Sequence, residues 1–323
     1  MKLVRTADPT GWFCFAFFEF SRPIMVNPRA LDRRRKSIRN IRKITRTMEL
    51  IATARFKKAM DRAAAAKAYT ERITALVAQL AQAGLEVSHP LLEPRPETKK
   101  ATLLVLTSNR GFCGGYNSNV IRAAWQRIQE VRAEVPALDV EISGKRGITG
   151  LKQRGVSATH SYLHFEDKPR FDEIDELATR YLEAYITGEL DRLEVAYTKF
   201  ISPSRQMPVI ETLLPLGSLA GSEEDKAQGE AGAGQGALQY DFLPSAESIL
   251  EEVVPTSFKV RLFKCFLDAA VSEQIARRVA MKAATENADG LIKSLSMEYN
   301  RARQGRITSE LLDVLGGVEA LKV

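Results

Sequence analysis

Residues 256–323 read TSFKVRLFKCFLDAAVSEQIARRVAMKAATENADGLIKSLSMEYNRARQGRITSELLDVLGGVEALKV. This stretch has no proline and is rich in residues that lose little side-chain entropy in a helix. An apolar stripe runs along it and resumes after a more polar middle: Leu267, Val271, Ile275, Val279, then Leu291, Leu295, Ile307, Leu311, Leu315 and Val318. The pattern predicts one helix of about sixty residues, and so narrow a stripe on so long a helix indicates a coiled-coil partner.

A second long helix is predicted near the other end of the chain. Asn27 and Pro28 are typical of an N-cap and a first helical position, and no proline follows until Pro90. A seam-like stripe follows in steps of three or four residues: Ile38, Ile41, Ile44, Met48 and Ile51. Small residues such as Ala52 and Ala59 would let a neighbouring backbone approach closely. We therefore predict an antiparallel coiled coil of residues 25–84 with residues 256–323.

The middle of the chain, residues 85–255, has strand patterns that alternate with helix patterns. Residues 101–107 are an apolar run bounded by turn residues, as in a buried strand, and similar runs follow at 138–142, 156–162, 193–200 and 209–215. Helical patterns lie between several of them, including residues 120–131 and 171–185. This alternation predicts a central Rossmann-like α/β domain with a mostly parallel sheet.

Three segments are expected to stay outside this architecture. Residues 1–24 contain an apolar run of eight, at 11–18, which is too short to span a membrane. We interpret them as a mis-called start or a disordered extension, with Met25 as the real start. Residues 216–239 are rich in Gly, Ala, Ser, Glu and Gln and predict a flexible surface loop. Pro244 and Pro255 bracket a predicted short helix, residues 245–253.

Charge is unevenly distributed along the chain. The formal net charge is +7, and residues 29–72 alone contain fifteen Lys or Arg and four Asp or Glu. A basic helix of this kind has two interpretations. It is a solvated face, or it binds an acidic partner such as nucleic acid, anionic lipid or an acidic protein surface.

The only stretch that suggests enzymatic chemistry is a glycine-rich turn at residues 109–115. A strand, a glycine turn and a helix N-terminus can bind phosphate, but Gly111, Gly114 and Gly115 match neither GxGxxG nor a P-loop. The three cysteines and three histidines are dispersed, so no metal site, disulfide framework or catalytic triad is indicated. We predict no catalytic residues, no cofactor and no metal. Polar residues at 286–290 and 299–306 interrupt the apolar stripe and are interpreted as either solvent-facing or a partner contact.

Four stretches resemble motifs of the gamma subunit of F-type ATP synthases. RNIRKITRTMELIA at residues 39–52 resembles the family's amino-terminal helix, and TSNRGFCGGYN at 107–117 its central motif. SEQIARRVAMKAAT at 272–285 and YNRARQ at 299–304 resemble its carboxy-terminal helix. The match is collinear from about Met25 to the end.

The resemblance implies a rotor shaft without an active site. In this family the terminal helices form a coiled coil inside a ring of alpha and beta subunits, while the α/β domain holds epsilon and sits on the c-ring. Proton flow turns the ring and shaft, and the shaft drives each beta subunit through its conformational cycle. The implied location is the cytoplasmic face of the bacterial inner membrane, reached indirectly through the c-ring, and no nucleic acid is expected as a partner.

The resemblance also assigns individual contacts. Met48 and Arg277 match coiled-coil residues near the beta-subunit lever. Arg303, Gln304 and Thr308 match residues that hydrogen-bond an acidic loop of a beta subunit. Contacts with the c-ring and epsilon are expected around Tyr240 and Phe242, where Leu243 replaces an acidic residue often found in the family.

Overall fold

The computed structural model describes residues 27–82, 90–91, 95, 98–165, 169–216 and 246–321. The chain divides into two compact units, one made of Met1–Arg39 and Gly290–Val323 and the other of Asn40–Asp289. The predictions for residues 1–24, Tyr240 and Phe242, and for almost all of the loop at 216–239, lie outside the described residues. The domain boundaries read from the sequence stay a prediction.

The amino-terminal helix α1, Pro28–Gln82, has the length and start that the sequence predicts. Asn27 caps it by accepting a hydrogen bond from the backbone N–H of Arg29 at 3.0 Å. Pro28 occupies the first turn, where its missing N–H leaves no intrahelical bond unmade.

The carboxy-terminal helix is longer than predicted. It runs without a break over Ala246–Ala320 and contains Pro255, so the separate short helix at residues 245–253 is wrong. A proline inside a helix costs about 3 kcal/mol, because it removes a hydrogen bond to the preceding turn. Val254, Phe258 and Leu262 around it are fully buried, and each such side chain contributes about 1.5–3 kcal/mol. Packing of these side chains against the sheet therefore outweighs the local preference of proline for a helix break. We call this helix, Ala246–Ala320, α5.

A five-stranded sheet forms the centre of the larger unit, in the order β3-β2-β1-β4-β5. Its strands are β1 (Lys100–Leu106), β2 (Ala137–Ser143), β3 (His160–Tyr162), β4 (Arg192–Ser202) and β5 (Arg205–Leu214). The β1–β2, β1–β4 and β2–β3 pairs are parallel, and β4–β5 is antiparallel. The predicted α/β class, mostly parallel sheet and long terminal helices are confirmed.

Helices cover both faces of this sheet: α2 (Tyr116–Glu134), α3 (Lys145–Lys152), α4 (Phe171–Ile186) and the first part of α5. Leu103 and Val105 pack with α2, whereas Leu104 and Leu106 pack with α4 and α5. Successive side chains of a strand point to opposite faces, so a strand covered on both sides reads as a continuous apolar run. That is why β1 was visible in the sequence.

Two elements differ from the sequence pattern. Strand β3 has three residues, not the seven predicted at 156–162. Helix α3 was not predicted, since Gly147 and Gly150 disfavour a helix. Packing explains both glycines, because a Cβ at Gly147 would lie 2.5 Å from Thr107 Oγ1 and one at Gly150 2.7 Å from Ile121 Cδ1.

The helix pairing within the larger unit uses a different face of α1 from the one predicted. Ile41, Ile44 and Ile51 are 46%, 55% and 48% exposed. The buried side chains in this part of α1 are small or polar and follow heptad spacing: Thr45, Glu49, Ala52 and Ala59. On α5 the corresponding buried set is Gln274, Met281, Thr285 and Ala288. We call these two sets the inner seam.

The inner seam is antiparallel, as predicted. Thr45 Oγ1 on α1 and Thr285 Oγ1 on α5 lie 2.9 Å apart. Arg42, which precedes Thr45 on α1, pairs with Asp289, which follows Thr285 on α5, so the two helices run in opposite directions. On α5, Leu267, Val271 and Ile275 of the predicted stripe are buried, but Val279 is 58% exposed.

In the smaller unit, the predicted apolar stripe of α5 is mostly exposed. Leu295 is 5% exposed and Leu31 of α1 is 6% exposed. Arg35 places its guanidinium over the ring of Tyr299, 4.7 Å from the centroid. The other predicted stripe residues of this unit are all at least 48% exposed: Leu291, Ile307, Leu311, Leu315 and Val318.

Candidate functional site

The glycine-rich turn, here residues 108–115, joins β1 to α2 and is fixed from inside by a buried polar cluster. The side-chain amide of Asn117 accepts from the N–H of Ser108 at 3.0 Å and donates to Ser108 Oγ at 2.8 Å and Cys113 Sγ at 3.0 Å. Burial raises the pKa of the Cys113 thiol. Cys113 is therefore a buried packing residue and not an activated nucleophile.

The outer part of the turn has left-handed backbone geometry at two positions. Phe112 has φ of 65° and Gly114 has φ of 56°. A phenylalanine held in this region costs about 1–3 kcal/mol, which the surrounding contacts must offset. The Phe112 side chain is nevertheless 66% exposed, so its own packing does not offset this cost.

Helix α5 covers the place where an α/β protein of this topology would bind a nucleotide. That place lies beyond the carboxyl ends of β1 and β4, where the strand order reverses. Tyr116, the first residue of α2, donates its hydroxyl to Ala269 O on α5 at 3.2 Å. Ser272 of α5 donates to Thr198 O on β4 at 3.1 Å. The structure therefore gives the glycine-rich turn a packing role against α5.

Metal chemistry finds no support in the described part of the chain. No group of three or more His, Cys, Asp or Glu there is placed to hold a metal ion. The exposed ring of His164 lies beside that of Phe165, with centroids 4.0 Å apart and the two planes tilted by 44°. None of the described helices is both long and apolar enough to cross a membrane.

Met48 and Arg277, which the resemblance assigns to the beta-subunit lever, both lie in the larger unit. Met48 is half-buried on α1. The Arg277 side chain is 12% exposed and pairs with Glu273 at 2.5 Å. Burial raises the pKa of Glu273, although Arg277 acts in the opposite direction. Most of Arg277 is thus engaged within its own chain, which the sequence did not indicate.

Arg303, Gln304 and Thr308 lie on the exposed surface of α5 in the smaller unit. The Thr308 hydroxyl donates to Gln304 O at 3.1 Å, so its oxygen remains able to accept a bond. Arg303 lines a groove of about 480 Å³ between α1 and α5. We call it the basic groove; its other lining residues are Pro28, Arg29, Asp32, Arg33, Lys36, Tyr299, Arg306, Ile307 and Glu310.

The basic groove has unbalanced positive charge. Asp32 already pairs with Arg35 at 2.7 Å and with Lys36 at 3.0 Å, and Glu310 pairs with Arg306 at 2.7 Å. Two further lining cations, Arg29 and Arg33, have no ion-pair partner among the described residues. Sequence reasoning missed the contribution of α1 to this groove. Its signal was the spacing of residues 29, 33 and 36, which places all three on one face of a helix.

Comparison with known proteins shows the family. The family model described as "ATP synthase" matches residues 27–321. The ATP synthase gamma chain of Rhodopirellula baltica is 63% identical over 298 residues, covering 92% of this chain and all of its own length. That of Leptospira biflexa is 36% identical over 297 residues, with the same coverage. The chain belongs to the ATP synthase gamma-chain family. It is a non-catalytic, central-stalk subunit of that membrane-associated complex.

Solved structures agree on the fold. A chain of the Euglena gracilis mitochondrial ATP synthase, solved with OSCP, F1 and the c-ring, superposes with a TM-score of 0.60 at 20% identity, covering 91% of this chain and 94% of that one. A chain of the rotor from the same organism gives a TM-score of 0.56 at 19% identity. The resemblance drawn from the four stretches of sequence is confirmed.

Proposed function

We propose that this chain is the rotor shaft of a proton-translocating ATP synthase. The c-ring turns it, and its surface drives the catalytic beta subunits through their conformational cycle. The helix pairing supports this role above all. Small and polar residues form the inner seam of the larger unit, while Ile41, Ile44 and Ile51 face outward. Large apolar side chains that a helix pair leaves exposed are typical of a surface that another protein covers.

The partners proposed for this surface are the alpha and beta subunits. Met48 and Arg277 are proposed as contacts of the beta-subunit lever, beside the basic surface of α1. The epsilon subunit and the c-ring are proposed partners of the α/β domain around Tyr240 and Phe242. The presence of F1 and the c-ring in the Euglena structure supports these assignments, as does the 63% identity to a gamma chain.

An acidic loop of a beta subunit is proposed as the ligand of Arg303, Gln304 and Thr308. The basic groove supports this assignment, because its own acids are already paired while Arg29 and Arg33 are not. An arginine guanidinium binds a carboxylate through two parallel N–H donors, which suits an acidic loop.

The proposed location is peripheral, at the cytoplasmic face of the bacterial inner membrane. The similar chains from Rhodopirellula baltica and Leptospira biflexa support a bacterial complex. Attachment to the membrane is proposed to be indirect, through the c-ring.

Arg303→Ala and Gln304→Ala test the acidic-loop contact in the assembled complex. Each is expected to lower proton-driven ATP synthesis about tenfold, since a hydrogen bond to a charged group contributes about 1.5–3 kcal/mol. Both positions lie off the inner seam, so the complex should still assemble. The measurement is ATP synthesis in inverted membrane vesicles.

Arg301→Ala is the matched control for Arg303→Ala, because Arg301 is exposed on the same helix and does not line the basic groove. Unchanged synthesis in both the Arg303 and Gln304 variants would contradict the contact.

A rival function, nucleic-acid binding by the basic helix, predicts DNA binding that weakens steeply with salt. The rotor proposal instead predicts co-purification with alpha and beta subunits.

A further inference from the structure

The glycine-rich turn rests on α5 at three points. Tyr116, next to the turn, bonds to Ala269 O at 3.2 Å. Arg277 donates to Gly111 O at 3.4 Å and to Arg110 O at 3.5 Å. A Cβ at Gly114 would lie 3.8 Å from the Cβ of Ala280. The contact therefore covers about three helical turns of α5.

Arg277 has a distinctive position among these contacts. Its side chain and that of Glu273 are each 12% exposed, and the two form an ion pair at 2.5 Å. The same guanidinium reaches two consecutive carbonyl groups directly before the strained Phe112. A planar guanidinium with five donors can bind a carboxylate and two carbonyls at once, whereas an ammonium ion lacks this fixed geometry.

On the opposite side, the turn is bonded to the first residues of α3 and to Leu163, which directly follows β3. Asn109 donates to Leu163 O at 3.0 Å and accepts from the N–H of Lys145 at 3.0 Å. The backbone N–H of Arg146 donates to Ser108 O at 3.1 Å. The turn also follows β1 along the chain. It therefore connects the α/β domain to the helix that continues into the inner seam, and force passing between them has a direct route through it.

We propose that Arg277 is a positioning residue that fastens the glycine-rich turn to α5, so that the α/β domain and the inner seam turn as one body. The proposal that this contact transmits torque rests on the proposed rotor function. The contact between Arg277 and the turn is observed independently of that function. Glu273 holds the guanidinium in place, and Arg277 need not touch a beta subunit to affect coupling.

Cys113 reports on the fastening, because it lies inside the turn and is 2% exposed. In the assembled complex, Arg277→Ala should raise the rate of maleimide labelling at Cys113 about tenfold or more, as local opening exposes the thiol. Arg277→Lys should also raise it. Peptide mass spectrometry separates Cys113 from Cys14 and from Cys265, which is buried elsewhere. Arg278→Ala, a neighbouring charge removal on α5, should leave the rate unchanged.

A disulfide provides a rescue of the contact. Gly114→Cys with Ala280→Cys would place two Cβ atoms about 3.8 Å apart, near the mean separation in disulfides. In the Arg277→Ala complex, ATP synthesis should fall severalfold. Oxidising this cysteine pair should restore it, and reduction should remove it again. The Gly114→Cys/Ala280→Cys variant that keeps Arg277 controls for strain at Gly114. A complex with this variant should synthesise ATP whether the cysteine pair is oxidised or reduced.

The outcomes separate this proposal from a direct beta-subunit contact. If Arg277→Ala lowers synthesis without changing Cys113 labelling, or the disulfide fails to restore synthesis, the fastening role is wrong. If labelling rises but synthesis is unchanged, the turn is fastened by Arg277 but carries no torque, which also overturns the proposal. If a complex that contains the chain without any substitution does not synthesise ATP, the proposed rotor function is wrong.

Discussion

Gly144 shows how a single residue decides the local fold between β2 and α3. Its φ is 99°, and a Cβ built there would lie 2.2 Å from Thr107 O. Thr107 in turn donates its hydroxyl to Ser143 O at 2.8 Å and accepts from the N–H of Gly147 at 2.9 Å. The ends of β1 and β2 are joined here, so neither the backbone geometry nor the space admits a side chain.

Gly144→Ala is expected to lower the free energy of unfolding by about 2–5 kcal/mol, the sum of left-handed strain and overpacking. Urea denaturation of the full chain measures it. Gly155→Ala is the matched control, because Gly155 also has positive φ, 78°, but no atom of the described residues lies within 4 Å of its Cβ position. It should cost only about 1–2 kcal/mol. Equal losses in the two variants would show that the close approach at Gly144 contributes nothing.

At single residues the sequence predicted types of contact better than their partners. Asn27 was expected to cap α1, and its side chain does accept a hydrogen bond from the backbone N–H of Arg29. The role of Arg277 could not be read from the sequence, because the carbonyls it binds come from a turn about 165 residues earlier. Every residue has a backbone carbonyl oxygen, so the residue types of the turn do not indicate which oxygens accept a hydrogen bond from Arg277.

Among the elements, the long helices were predictable and their contact faces were not. Both Ile41-Ile44-Met48-Ile51 and Thr45-Glu49-Ala52-Ala59 have steps of three, four or seven residues, as a coiled-coil seam requires. Periodicity alone cannot tell which of two such faces packs within the chain. The apolar face was chosen because apolar residues are usually inside, but here the small side chains let the two helices pack closely.

Ala52→Leu tests the inner seam, where Ala52 is 1% exposed. The larger side chain is expected to destabilise the chain by about 1–3 kcal/mol, because the seam has no room for three more carbon atoms. Thermal unfolding followed by circular dichroism gives the change. Ala54→Leu, at an exposed position on the same helix, should change stability by less than about 0.5 kcal/mol. If Ala52→Leu were neutral, Ala52 would not lie in a close-packed seam.

At the scale of the whole molecule, the three collinear motifs were sufficient to predict the family and the architecture. The order of helix, α/β domain and helix was also visible from the change of hydrophobic period at residues 101–107. The continuous helix through Pro255 was not, because burial on the sheet overrides a local signal. Nor was the basic groove, which combines residues near both ends of the chain.

A chain that starts at Met25 is expected to assemble with alpha, beta and epsilon subunits as the full chain does. The family match begins at residue 27, and the Rhodopirellula relative is covered completely by 92% of this chain. Co-purification with affinity-tagged beta subunit measures assembly, and a chain starting at Arg39, which lacks the first turns of α1, is the control that should fail. Loss of assembly on removing residues 1–24 would show that they take part.

The exposed carboxy-terminal end of α5 has a consequence for the cell that makes this protein. Five large apolar side chains there are each about half exposed or more: Leu311, Leu312, Val314, Leu315 and Val318. An orphan copy would present this surface to chaperones, proteases and other orphan copies. Synthesis of the chain must therefore keep pace with that of the proteins that cover it, and a surplus would be degraded or would precipitate.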